Sequence, residues 1–371
     1  MNNKVIKIVL TGGPCSGKTT ALSKIIEKFS DKGCTVLALP ETATLFSQAG
    51  VNFATGNSED FYQVEKAIFV FQIQMEDRFE EIALKSGKPA ILICDRGLMD
   101  VSAYLSGEAW QALLDELNMS EVQARDKRYD AVLHLVTAAK GAEKFYTTAN
   151  NPARSENLEQ AAALDDKLIR AWTGHPHLRV IDNSSDFETK INRTLAEIAA
   201  VLGIPEPVET ERKYRIEIAG DLPGQVETEI FQTYLLSSGE EEVRLRKRGQ
   251  NGHYVYFLTV KRALEGNSRI ETEKRISPSE YVALLKQADP DRQTIHKRRR
   301  CFVWQNQYFE VDTFISPDLP FSLLEIEDVK NHEDINFPPF IKVLEDVTDN
   351  KMYYNSSLAR KNTQDDLRTK Q

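Results

Sequence analysis

Cysteine is scarce. Cys15, Cys34, Cys94 and Cys301 are the four in 371 residues, and none has a CxxC partner. Structural disulfides and a zinc site are therefore not expected. Long apolar runs are missing too: nothing approaches the roughly 18–20 residues of a membrane span, so no transmembrane segment is expected. Nor is there a positive balance. Lys+Arg 47 against Asp+Glu 56 gives −9, which argues against a general nucleic-acid or membrane-surface protein. MNNKVIKIVLTGG enters a strand pattern directly, without the n-, h- and c-regions of a signal peptide, and a cytoplasmic setting is expected. No NKxD-type guanine-reading motif separates GTP from ATP.

What is present divides in two. The length suits two domains. In the first half, VIKIVLT, TVLALPE (35–41), AILICD (90–95), AVLHLVT (131–137) and HLRVID (177–182) read as strands with helical spacing between them, the last helix running from about Asp186 to Leu202. That alternation predicts an α/β fold: a parallel sheet with helices on both faces, over 1–205. GIPEPVE (203–209), with two prolines, marks the boundary. From 206 to about 360, short period-two segments predict a mainly antiparallel β domain. One helix interrupts it, announced by the Ser277-Pro278-x-Glu280 capping box. The polar stretch 361–371 reads as a tail.

Gly12-Gly13-Pro14-Cys15-Ser16-Gly17-Lys18-Thr19, followed by Thr20, matches GxxxxGK[ST] between a predicted strand and a predicted helix. Glycines let backbone N–H groups curl around phosphate oxygens, and the helix N-terminus adds its positive end. Lys18 is placed on the β/γ-phosphates of ATP or GTP, and Thr19 on Mg²⁺. Asp95 ends the third strand and either reaches that metal through water or caps the next helix. Glu41 either faces a phosphoryl acceptor and takes its proton or is a plain loop residue. Arg154, in NPARSEN, is either a lid arginine or solvated.

GGPCSGKTT, LPET and DRGLMD (95–100) resemble the P-loop domain shared by nicotinamide-riboside-type kinases and the translocation-defect-protein-14-like family.

The second half carries its charge at period two. VETERKYRIE (208–217) places Glu209, Glu211, Lys213 and Arg215 on one face. EVRLRKR, FLTVKR, RIETEKRI, IHKRRRCF, YFEVDTF and LLEIED repeat the habit with Arg244/Arg246, Lys261, Glu271/Glu273, Lys297/Arg299, Glu310/Asp312 and Glu325/Glu327. Closing such strands into a barrel gathers both signs inside, where a metal-bound polyphosphate would balance them. Carboxylate pairs suit Mg²⁺ or Mn²⁺, and the basic groups suit phosphate oxygens. The alternative is a surface of solvated ion pairs.

Glu209-x-Glu211-x-Lys213, RLR (244–246), TVK (259–261), ETE (271–273), KRR (297–299), EVD (310–312) and EIE (325–327), in this order, resemble the CYTH domain of the triphosphate tunnel metalloenzymes. EDVTDNKMYYNSSLA (345–359) looks like that family's closing strand and tail. The resemblance implies an eight-stranded antiparallel tunnel. In it, basic residues bind triphosphate, and glutamates, with Asp312, bind a divalent metal. Glu209, Glu211 and Lys213 are implied at its catalytic centre. The two domains in this order most resemble the translocation-defect-protein-14-like proteins, which implies GTP binding and recognition of acidic phospholipid headgroups. Three functions follow as expectations: triphosphate hydrolysis in the tunnel, a nucleotide-dependent switch or adaptor, and a small-molecule kinase.

Overall fold

The structure is a computed structural model that describes residues 5–30, 34–53, 57–146, 157–204, 211–237, 241–263, 269–327 and 332–361. It divides into two compact units, residues 1–204 and 205–371. Glu209 and Arg154 lie outside the described residues. Among the described residues no helix is long and apolar enough to cross a membrane.

The first unit is built on five parallel strands: β1 (Val5–Thr11), β2 (Thr35–Leu39), β3 (Ala90–Asp95), β4 (Ala131–Leu135) and β5 (Leu178–Ile181). Their order is β2-β3-β1-β4-β5, with β1 at the centre. Helices cover both faces, so the strands are apolar almost throughout. On one face Ile6, Ile8 and Leu10 pack against Ala21, Ile25 and Phe29 of α1 (Lys18–Ser30) and Ile191, Leu195 and Ile198 of α7 (Phe187–Val201). On the other, Lys7 reaches Glu80 of α3 (Ser58–Lys85) at 2.6 Å. The remaining helices are α2 (Thr42–Gln48), α4 (Gly107–Glu116), α5 (Glu121–Ala124) and α6 (Leu158–Trp172). Short polar side chains start the long helices: Asn57 accepts from Glu59 N, Asn157 from Gln160 N and Asp186 from Thr189 N.

The second unit is one antiparallel sheet of nine strands. These are β6 (Glu211–Ile218), β7 (Val226–Tyr234), β8 (Glu241–Gln250), β9 (His253–Ala263), β10 (Arg269–Ile276), β11 (Ile295–Trp304), β12 (Gln307–Ser316), β13 (Ser322–Glu327) and β14 (Ile341–Asp346). Their order is β10-β9-β8-β7-β11-β12-β13-β6-β14. The expected count of eight is corrected to nine, because Ile341–Asp346 adds itself along β6. α8 (Pro278–Leu284) starts at the Ser277/Glu280 capping box read from the sequence. α9 (Asn355–Leu358) closes the described chain.

Strand alternation gives the sheet two unlike faces. One is apolar and covered: Tyr214, Ile216, Phe302, Phe309, Val311, Leu324 and Ile326 pack with Ile335 and Phe340. Farther along the sheet, Leu245 and Tyr256 lie under Tyr281 of α8.

Candidate functional site

The phosphate loop joins β1 to α1 and takes a shape only its glycines allow. Gly12 has φ +140°, and a Cβ there would stand 2.1 Å from Leu135 O; Gly17 has φ +95° with the Phe187 ring against it. Lys18 Nζ lies back over the loop, 2.9 Å from Gly12 O and 3.3 Å from Ser16 Oγ. Burial lowers its pKa, as does Arg96, while Asp95, Glu41 and Asp100 oppose the shift. Thr19 and Thr20 are exposed at the start of α1.

The loop is tethered from the far side by residues that sequence reasoning passed over. Asp165 of α6 accepts from Gly13 N at 2.8 Å and Thr137 N at 3.2 Å, and lies 3.0 Å from His134 Nε2. Although burial opposes it, His134 and Lys140 hold the Asp165 carboxyl well below its ordinary range. The sequence offers only a buried-strand histidine and one aspartate of a helical DD pair, so nothing in either segment flagged the tether.

Beyond Lys18 lies a group of charges arranged around Arg96, whose φ of +71° is unusual for a residue with a side chain. Arg96 Nε donates to Glu41 Oε1 at 2.5 Å, and Arg96 Nη1 donates to Asp100 Oδ1 at 3.4 Å. Asp100 is fixed in turn by Gly97 N at 2.8 Å and Trp172 Nε1 at 3.3 Å. Burial would raise the pKa of Glu41, but Arg96 and Lys18 outweigh it and hold the carboxyl at about 2. Asp95 Oδ1 is buried with no hydrogen-bond partner among the described residues, and burial pushes its carboxyl up. An orphaned oxygen there fits a metal-bound water, the role weighed for Asp95 beside a Thr19-held Mg²⁺.

In the second unit the register carries one face across the whole sheet. Glu271 and Glu273 oppose Lys261 and Thr259; Thr259 opposes Arg244; Arg246 opposes Gln232; and Gln232 opposes Ile295, in line with Lys297 and Arg299. Arg299 opposes Asp312, Glu310 opposes Glu325, Glu325 opposes Lys213 and Glu327 opposes Glu211. The candidate residues of β6 and β8–β13 therefore share one side. It is not a solvated surface: Lys213, Arg244, Lys261, Lys297, Arg299, Glu310, Asp312 and Glu325 are each at most 8% exposed. Arg248, 2% exposed, extends the Arg244/Arg246 series and was legible in RLRKR as one more period-two step.

The charges are paired in two groups. In one, Lys213 Nζ lies 3.0 Å from Glu211 and 2.9 Å from Glu325, while Arg299 spans Asp312, at 2.6–2.7 Å, together with Glu310 and Glu325; Lys297 also binds Asp312. In the other, Glu271 holds Arg244 at 3.1 Å and Lys261 at 2.7 Å, and Arg246 donates twice to Glu273, which also accepts from Thr259. Burial, with Glu327, Glu325 and Asp312 nearby, drives the Glu310 pKa up against the pull of Arg299. Glu325 goes the other way: despite burial, Lys213, Lys297 and Arg299 hold it well below its ordinary value. At one end the same face turns apolar, where Tyr234, Ile295, Phe314 and Leu323 pack with Val347 and Leu358.

The carboxylate oxygens are of the right kind for Mg²⁺ or Mn²⁺. In position, however, the described acids are held on lysine and arginine, and among the described residues no group of three or more acids, histidines or cysteines is arranged to hold a metal.

Fold and site together define a P-loop unit followed by an antiparallel sheet with a buried ionic face. Comparison agrees for the first: residues 7–190 match the model of an AAA domain family, and the N-terminal unit is an AAA-type P-loop domain. Among solved structures, the hypothetical protein NE1496 is similar at 28% identity, covering 41% of this chain and 97% of that one with a TM-score of 0.31. A second structure, titled as the inorganic triphosphatase NE1496, gives 27%, 41%, 93% and 0.31. The PH1819 protein from Pyrococcus horikoshii OT3 gives 21%, 34%, 80% and 0.26. No curated protein matches the chain.

Proposed function

We propose that the chain binds a nucleoside triphosphate at its phosphate loop and, separately, binds and hydrolyses a triphosphate-bearing ligand on the ionic face of the second unit. The observation that carries this is the buried face itself. Burying paired charges is no route to stability when apolar residues would serve as well, so a face committed to them across many strands fits a charged ligand. On this reading Arg244, Arg246, Lys261, Lys297 and Arg299 take phosphate oxygens, the arginines bidentately. Once the ligand draws Lys213 and Arg299 away, Glu211, Glu325 and Glu327 with Glu209 would hold a divalent cation, which would supply charge neutralisation at the phosphoryl oxygens. Glu310, whose carboxyl burial pushes up against the pull of Arg299, would exchange a proton with water there.

The test is phosphate release from inorganic triphosphate, ATP and GTP with Mg²⁺ or Mn²⁺. Release lost in Glu211→Ala but kept in Lys18→Ala is the expected outcome. Release from no substrate, with nucleotide binding lost only in Lys18→Ala, rejects hydrolysis on the ionic face.

A second reading, a switch that binds a phosphorylated ligand without turnover, is favoured by one observation: among the described residues the acids are already engaged by bases rather than gathered for a metal. Saturable binding of triphosphate with no phosphate release would identify it.

A further inference from the structure

One peptide of the phosphate loop is flanked by glycine on both sides, Gly12 and Gly13, so no Cβ stops its plane from turning over. A trans peptide is planar, and its N–H and C=O point in opposite directions. Here both ends of that plane are engaged. On one side Gly13 N donates to Asp165 Oδ1 at 2.8 Å, and on the other Gly12 O accepts from Lys18 Nζ at 2.9 Å. Gly12 O is the nearest oxygen that Lys18 reaches, ahead of Ser16 Oγ at 3.3 Å and Gly13 O at 3.4 Å.

Asp165 is itself held fast. It is fully buried on α6, and its carboxylate also accepts from Thr137 N at 3.2 Å and Lys140 Nζ at 3.1 Å, with His134 Nε2 at 3.0 Å. Although burial opposes it, His134 and Lys140 keep the carboxyl ionised. A Cβ on Gly13 would stand 3.0 Å from Asp165 Oδ1, so glycine there permits the close approach. Thr11, before Gly12, is fixed separately: its hydroxyl donates to Asp100, which also accepts from Trp172 Nε1 of α6. If the peptide between Gly12 and Gly13 turned over, Gly12 O would face an ionised carboxylate, and Lys18 would lose its nearest acceptor. The charge on Asp165 therefore opposes the turned state twice.

We propose that Asp165 is a positioning residue for nucleotide binding: by choosing the orientation of the peptide between Gly12 and Gly13, it aims a carbonyl at Lys18 and keeps that lysine inside the loop. This rests on the nucleotide-binding reading of the loop. Asp165 acts through one peptide on Lys18 rather than on the ligand. The Gly13 N–H faces α6, so the loop gives up one donor and gains a placed cation.

Asp165→Asn keeps the shape of the side chain, but its amide can accept from the Gly13 N–H or donate to a turned Gly12 carbonyl, so it no longer selects between them. Calorimetry with ATP and with GTP, in the presence of Mg²⁺, is run on four whole chains: the native protein, Asp165→Asn, Lys18→Ala and the double variant. Asp165→Asn is expected to weaken nucleotide binding roughly 10-fold where Lys18 is present, about the difference between a charged and a neutral hydrogen bond. In the Lys18→Ala background the same change should cost less than about 2-fold, because the two residues act in series. An equal loss in both backgrounds means a deformed loop and overturns the proposal, as does unchanged or tighter binding by Asp165→Asn. Asp165→Ser repeats the cycle should the asparagine variant not fold. A native chain that binds neither nucleotide removes the nucleotide-binding reading as well, whereas binding without a Lys18-dependent effect of Asp165 removes this proposal alone.

Discussion

The two proposed sites answer the same ligand chemistry, phosphate, with opposite arrangements of charge. The phosphate loop relies on backbone: two glycines in otherwise strained conformations and one lysine resting on carbonyl oxygens. The ionic face relies on side chains that already hold one another, with Lys213 on Glu211 and Glu325, and Arg299 on three acids. A ligand at the loop gains new hydrogen bonds at little internal cost. A ligand on the sheet must take bases away from acids, so its binding depends on what then satisfies the acids. On the proposed function, that difference makes a metal matter more to the second site than to the first.

The comparison can be broken first at Arg299. Arg299→Leu leaves Glu310, Asp312 and Glu325 short of a base in the interior and is expected to cost about 3–5 kcal/mol, measured by urea unfolding followed by circular dichroism. A loss below about 1 kcal/mol, the level of an exposed pair, would mean that the face is wetter than its burial indicates. The first unit is sharpened by pH. Glu65, buried on α3, sits at about 7 rather than 4.5, so between those values the folded chain keeps a proton the unfolded chain has released. Its contribution is whole below pH 4.5 and falls as pH rises to 7, by on the order of 3 kcal/mol. Thermal melts across that window should show this slope in the native protein and not in Glu65→Gln. Lys18→Ala should weaken nucleotide binding roughly 100-fold, the upper end for a charged hydrogen bond. Triphosphate affinity at the sheet, read by calorimetry, should not change. Smallest is Ser277→Ala, which removes the α8 cap and is expected to cost about 1 kcal/mol without moving either ligand's affinity. A change in triphosphate affinity there would couple α8 to the ionic face.

Much of this was legible in the sequence because it depends on local repetition. GGPCSGKTT sits between β1 and α1 as its spacing requires, and period-two charge puts Arg244, Lys261, Arg299 and Glu325 on one side. The sequence could also be read for the α8 cap, since Ser277, Pro278 and Glu280 lie within four residues. What stayed hidden depends on contacts across the chain. Asp165 lies 152 residues from the Gly13 N–H it accepts from, and Arg96 lies 55 residues from Glu41. Glu65 was invisible for another reason: a helix reading EDFYQVEKAIF gives no sign of which glutamate is buried. The ninth strand was read only as a closing segment, because nothing local tells Ile341–Asp346 which edge it will join.

The unlike faces of the nine-stranded sheet have a consequence for how the chain finds its own alignment. If β11 slid by one residue against β12, Lys297 and Arg299 would leave Asp312, and Phe302 would turn from Phe309 toward the face that holds Glu310. In an ordinary sandwich a slip exchanges apolar residues for polar ones that reach water. Here the face they leave is buried, so misalignment strips Glu310, Asp312 and Glu325 of Arg299 in the interior. The residues of the ionic face therefore also act as proofreaders of strand pairing, and replacing them with apolar side chains would relax that error-checking even where it left the sheet stable.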